Sequence, residues 1–268
     1  MMSSATVGSF RQQFAHAASD TLALLYRNIL RYRRMPDVIV FLVVQPLIVL
    51  LLFRYILGGA IHLPHMSYVD YLMPGVFGMA IVIGSSTIGI GLAEDLASGT
   101  VDHLRALPIA RSALLVARTF TDIARNLLVI PLIGLLGAAV GFKITTTVPN
   151  LVLAYALLLA LGFAFAWIST TVALWTSSVE ATQGLVILFA LTFSFASSGF
   201  VPVSTMPHVI RGVVNASPVT YVDNAVRLLV TTASGPSSHD TAFSLIWVAG
   251  IVIVMVPLSV MRYARLQR

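Results

Sequence analysis

Few residues in this 268-residue chain could carry covalent chemistry, and their spacing speaks against it. There is no cysteine, so disulfides, thiolate catalysis and cysteine-held metal are excluded. The six histidines are scattered. His62 and His65, in IHLPHMS, are close together but lack a carboxylate partner, which is the mark of a polar loop more than of a metal site. No HExxH or GxSxG occurs. The only lysine, Lys143, stands between Phe142 and Ile144, so it cannot close the GK[ST] of a P-loop. No catalytic residue, metal or cofactor is assigned to this chain, and any energy from ATP has to come from another subunit.

Two sets of polar residues remain. The first is EDLASGTVDHLRALPIAR, residues 94–111, a charged insert between long apolar segments. Thr100 suits an N-cap, Asp102 suits the first turn of a helix, and Pro108 ends it about two turns later. On that short helix Val101, Leu104 and Leu107 share a face flanked by Asp102 and Arg105. Such an apolar knob ringed by charge fits a groove on a soluble partner, and a solvated loop fits the same residues equally well. The second set is hydroxyl-bearing: Ser85, Ser86 and Thr87, Ser169 to Thr171, Thr176 to Ser178, and Thr192 and Ser194. At this density hydroxyls and glycines glue helices together in lipid. Ser85, Ser86, Thr87, Thr192 and Ser194 could equally line a weakly polar substrate path for an amphiphile.

The elements that hold these residues follow from composition. The chain is 58% hydrophobic and 10% charged, far less charged than a soluble domain. Runs long enough to cross lipid are read at about 38–57, 72–93, 126–142, 150–175, 181–201 and 243–261. None alternates every second residue, so an all-α polytopic membrane protein with six transmembrane helices is expected instead of a barrel. The third run is the shortest and extends as a polar helix from about Arg111. The cationic residues place both termini on the cytoplasmic side, with the insert, and leave Lys143, Arg211 and Arg227 outside. Residues 1–37 form an N-terminal part whose FRQQFAHAASDTLALLYRNILRYRR repeats apolar residues at helical spacing, an interfacial amphipathic helix. Residues 38–261 are the transmembrane domain, and 262–268 are a basic tail. Residues 202–230, broken by Pro202, Pro207 and Pro218, are expected to dip back into the outer leaflet as a re-entrant cap.

No apolar run carries a carboxylate near its middle, which argues against an ion-coupled carrier. The net charge of +6 is mainly a topology signal, and nucleic acid is not an expected partner.

YVDYLMPGVFGMAIVIGSSTIGIGLAEDLASGTVDHLRALPIARSALLVARTFTD, residues 68–122, resembles the signature of ABC-2 type export permeases, and within them the daunorubicin-resistance branch. A PG before the second span is followed by an acidic pair, a glycine, an acidic-basic cluster and LP with a nearby arginine. LLFRYILGGAI and ASPVTYVDNAVRLL resemble the family as well. The resemblance implies a permease paired with a second permease copy or a related chain. It also implies two cytosolic ATP-binding subunits that bind Mg-ATP and press on a coupling element made by Glu94, Asp95, Gly99, Asp102, Arg105, Pro108 and Arg111. The implied cargo is hydrophobic or amphiphilic, and the implied location is a bacterial plasma membrane. His103 departs from the family, where arginine is common. The alternative is a non-transporting membrane scaffold whose charged loop recruits a cytosolic enzyme.

Overall fold

The computed structural model describes residues 36–59, 66–99, 113–231 and 238–266. Among these residues every regular element is helical. α1 spans Pro36–Leu52 and continues as a π-helical turn over Phe53–Leu57; α2 is Tyr68–Ala97, α3 Ala113–Ala139, α4 Val148–Trp175 and α5 Val179–Phe195. A 3-10 turn at Val203–Thr205 leads to α6, His208–Ala216, then α7, Pro218–Thr231, and α8, Ser238–Leu266. The expected N-terminal amphipathic helix, His62, His65 and residues 100–112 of the insert lie outside the described residues.

Local chemistry sets the helix ends. The Ser67 hydroxyl accepts from the Asp70 amide at 3.1 Å to start α2, and the Ser178 hydroxyl does the same from the Ala181 amide to start α5. Such caps satisfy amides that have no carbonyl partner in the first turn. Gly99 ends α2 at φ +71°, a left-handed conformation that disfavours any residue with a Cβ.

Among the described residues four helices are long and apolar enough to cross a membrane: α2, α3, α4 and α8. α1 and α5 are shorter apolar helices. The expected fifth span, 181–201, is helical only to Phe195. Beyond it SSGF is irregular chain, and its carbonyls are taken by tyrosines of α2: Tyr71 donates to Ser198 O at 2.7 Å and Tyr68 to Phe200 O at 3.0 Å. Gly75 and Gly199 make this possible, since a Cβ on Gly75 would lie 2.5 Å from the Gly199 backbone.

α2 is the axis of the bundle. It touches α1, α3, α4, α5 and α7, and 78% of its apolar window is buried, against 11% for α8. The core joins Leu72, Met79 and Val82 of α2 to Leu161 and Phe165 of α4 and to Val222 and Leu229 of α7. Large apolar side chains such as Phe41, Ile48, Leu188 and Ile253 face outward, as a hydrocarbon solvent allows. α6 and α7 form two short helices broken at Ser217, and α7 is a core element, packed against α2, α4 and α8.

Candidate functional site

The helices flanking the charged insert are fastened to each other near it. At the C-terminal end of α2, Glu94 is exposed, and Asp95 is turned back to form an ion pair with Arg118 of α3. The Arg118 guanidinium also donates to Gly91 O at 3.1 Å and Ile88 O at 3.4 Å. It therefore ties α3 to α2 over nearly two turns, from Ile88 to Asp95. Of the seven residues expected to form a coupling element, Glu94, Asp95 and Gly99 lie together at this helix end. Asp102, Arg105, Pro108 and Arg111 lie outside the described residues. Arg118 was absent from the expected set; its only sequence signal was a cation a few residues beyond the insert, opposite an acidic pair a few residues before it.

Deeper in the bundle lies a polar seam between α2, α3 and α4. The expected third span placed Asp122 and Arg125 on the polar approach to its first residue. In accord with the expected polar extension, the helix runs unbroken from Ala113 to Ala139, and both residues sit near its middle with 1% and 4% of their surface exposed. A carboxylate and a guanidinium are therefore buried between helices just ahead of the apolar run that begins at 126. Gly84, whose carbonyl receives Arg125 at 2.9 Å, is roughly 20 Å of helix from either end of α2.

The seam is densely bonded. Asp122 pairs with Arg125 one turn on, accepts from the Ser85 hydroxyl at 2.6 Å and accepts from the Asn126 amide at 3.1 Å. Arg125 also reaches Thr87 Oγ1 and Asn126 Oδ1, each at 3.1 Å. From α4, Ser169 donates to Ser85 O at 3.2 Å. Gly162 of α4 provides the space, because a Cβ there would fall 2.9 Å from the Asn126 amide and 3.1 Å from the Ser85 hydroxyl. A buried charge pair gains from its low-dielectric surroundings only when its remaining hydrogen-bonding capacity is met. Here the carboxylate meets that condition.

The hydroxyl residues expected to line a path do not share one surface. Ser85 and Thr87 belong to the seam. Ser86 is buried, donates to Val82 O at 2.7 Å and faces a small crevice toward Phe165 and Val186. Ser194 is buried under the irregular chain that follows α5, its hydroxyl without a partner among the described residues. Thr192 alone lines a large cavity.

A second polar cluster seats α7 on α2. Arg227, expected on the outer side of the membrane, is buried with 8% of its surface exposed. Its guanidinium lies 3.9 Å over the Tyr71 ring and donates to Tyr71 O at 3.0 Å and to Ser198 O at 3.1 Å. Asp223, one turn earlier, is fully buried and accepts from the Ser197 hydroxyl at 3.2 Å. Arg227 and Tyr71 thus pin the segment after α5 and the segment after α6 to the same stretch of α2.

Among the described residues the chain is a helical bundle with apolar outer faces and a charged insert between its axial helix and the next. Residues 19–230 match the ABC-2 type transporter family. The chain belongs to the ABC-2 type transporter family. This ABC-2 permease is 30% identical over 249 residues to the daunorubicin resistance ABC transporter permease protein DrrB1 of Streptomyces coeruleorubidus, covering 93% of this chain and 87% of that one. It is 27% identical over 244 residues to the probable doxorubicin resistance ABC transporter permease protein DrrC of Mycobacterium tuberculosis, covering 90% and 87%. The matched region takes in the axial helix, the insert, both polar clusters and most of α7. As an ABC-2 permease the chain is the membrane subunit of a transporter and not its ATPase.

Proposed function

We propose that this permease is the membrane-spanning half of an ATP-driven exporter of hydrophobic or amphiphilic cargo: a lipophilic antibiotic, a lipid or a lipid-linked glycan. Two copies of a separate ATP-binding subunit, each holding Mg-ATP, supply the energy, and a second permease completes the path. Six spans cross a bacterial plasma membrane, with both termini and residues 94–111 in the cytoplasm and residues 202–230 folded back into the outer leaflet as a cap. The drug-resistance names of both relatives support a lipophilic cargo.

The observation that carries this reading is the double fastening of α2 to α3. Both helices leave the charged insert, and they are tied first by Asp95 to Arg118 and again, about two to three turns deeper, by Arg125 to Gly84 and Ser85 to Asp122. A push on the insert from a cytosolic subunit then moves the pair as one lever. Because α2 is the bundle's axis, the displacement reaches α4, α5 and α7. Glu94, exposed at the end of this lever, is free to contact the ATPase, with Gly99, Asp102, Arg105, Pro108 and Arg111 as the rest of the contact surface.

The test is co-purification of an ATP-binding subunit from native membranes, followed by cargo efflux in cells carrying Glu94→Ala or Arg105→Ala. The expected outcome is normal insertion, continued ATP hydrolysis and lost efflux. Unchanged efflux in both variants at equal expression would remove residues 94–111 from the coupling role.

A further inference from the structure

A large cavity is separate from both polar clusters. It lies between α4, α5, α6 and α8, has a volume of about 930 Å³, and falls within the size range of sites for small organic ligands. Aromatic rings enter it from three helices: Trp175 from α4, Phe189 and Phe193 from α5, and Trp247 from α8. From Trp247 to Leu258 the α8 wall measures about 16 Å. No charged side chain lines it; the Arg262 guanidinium lies 5.3 Å over the Trp175 ring with its Nε donating to Leu174 O.

We infer that this cleft is a binding site for an uncharged, ring-bearing amphiphile that enters sideways from the membrane, an inference that rests on the exporter reading and gives its cargo an uptake site. Charge is excluded because an ion placed there would be desolvated with no partner. Flat rings are favoured because four aromatic walls offer stacked and edge-on contacts that a flexible acyl chain cannot use. One polar end is present. Ser217, in the break between α6 and α7, carries a buried hydroxyl with no partner among the described residues, and Thr192 lies in the same wall. A hydroxyl or carbonyl on the ligand would be matched there. The α6 wall is open at Gly212, where an added Cβ would meet nothing within 4 Å.

The chain's three tryptophans make the cleft observable, since Trp175 and Trp247 line it and Trp167 is buried in a separate cluster against Leu92 and Tyr263. The full chain in nanodiscs of saturated phosphatidylcholine is titrated with 9-anthracenemethanol, an uncharged three-ring alcohol, and energy transfer from tryptophan is followed. Saturable transfer is expected, without competition from anthracene-9-carboxylate. Gly212→Phe, which fills the cleft from an uncrowded position, should raise the half-saturation concentration at least about tenfold with unchanged helical content. Val213→Trp, at an exposed position of the same wall, provides the same check if Gly212→Phe is poorly folded.

Transfer that rises linearly with probe, or that saturates alike in these variants, would overturn the site. So would strong quenching of the wild type by dibrominated phosphatidylcholine that the probe fails to relieve, since the cleft would then be an acyl-chain groove. The binding measurement needs neither ATP nor an ATPase. Intact binding with no nucleotide-driven movement by the assembled complex would uphold the site while removing the exporter reading.

Discussion

Removing Asp122 should disable the seam more severely than any other single change in the bundle. In Asp122→Ala the Arg125 guanidinium, 4% exposed, loses its only counter-charge in the seam, and the Ser85 hydroxyl and one bond of the Asn126 amide lose their acceptor. A buried charge left without its partner typically costs about 3–5 kcal/mol. The double variant Asp122→Leu with Arg125→Met removes both ions and replaces them with side chains suited to an apolar core. It should recover to within about 2 kcal/mol of wild type, because replacing a buried pair by well-packed apolar groups is often near neutral. Unfolding of the purified chain in mixed micelles by increasing dodecyl sulfate, followed by far-ultraviolet helical signal, gives the three free energies. The coupling between the two sites should be several kcal/mol. A single-variant loss below about 1 kcal/mol would mean that Arg125 finds water or another anion. A double variant that loses the sum of the two singles would mean that the residues are energetically independent. Either result refutes a mutually dependent Asp122–Arg125 pair in the seam.

Gly99→Asn should be tolerated, whereas Gly99→Val should destabilise by about 1–2 kcal/mol, since only the valine strongly resists a φ of +71°; thermal unfolding distinguishes them. Arg118→Ala removes a partly exposed pair and should lower stability by less than about 1 kcal/mol, yet cargo moved per ATP hydrolysed should fall sharply in the reconstituted complex. Equal transport stoichiometry in that variant would rule out the lower fastening as part of the lever. Tyr71→Phe keeps the ring under Arg227 but loses the bond to Ser198 O, a loss of about 1 kcal/mol. Tyr71→Ala removes both and should approach about 3 kcal/mol; equal losses for the two would leave the ring stacking without a role.

Much of the architecture is legible in the sequence because each helix carries its own evidence. The apolar runs and the broken stretch with VIRGVV and YVDNAVRLLV correspond to helices and breaks near the expected places among the described residues, and the polar extension of the third run is present as the first half of α3. Less legible were the limits of that third helix and the end of α5. In both cases a partner across the fold decided the conformation: α2 supplies bonds, and α4 the space at Gly162, that let charged residues continue a helix inward, and Tyr68 and Tyr71 hold an irregular stretch of chain that would otherwise remain unpaired.

Taken alone, the sequence determines that this is a helical membrane protein, that its only lysine cannot close a P-loop, and that a charged insert lies between two apolar helices. It also carries its family in residues 68–122. Only the tertiary structure decides that Asp95 meets Arg118, that Asp122 and Arg125 close on Ser85 and Gly84, and that Thr192 faces a cavity whereas Ser85 and Ser194 do not. The physical reason lies in α2 and α4. Both are apolar around nearly their whole circumference, so their composition names no preferred face, and the choice of neighbour falls to small residues such as Gly75, Gly162 and Gly199 that admit a close approach from elements far away in the chain.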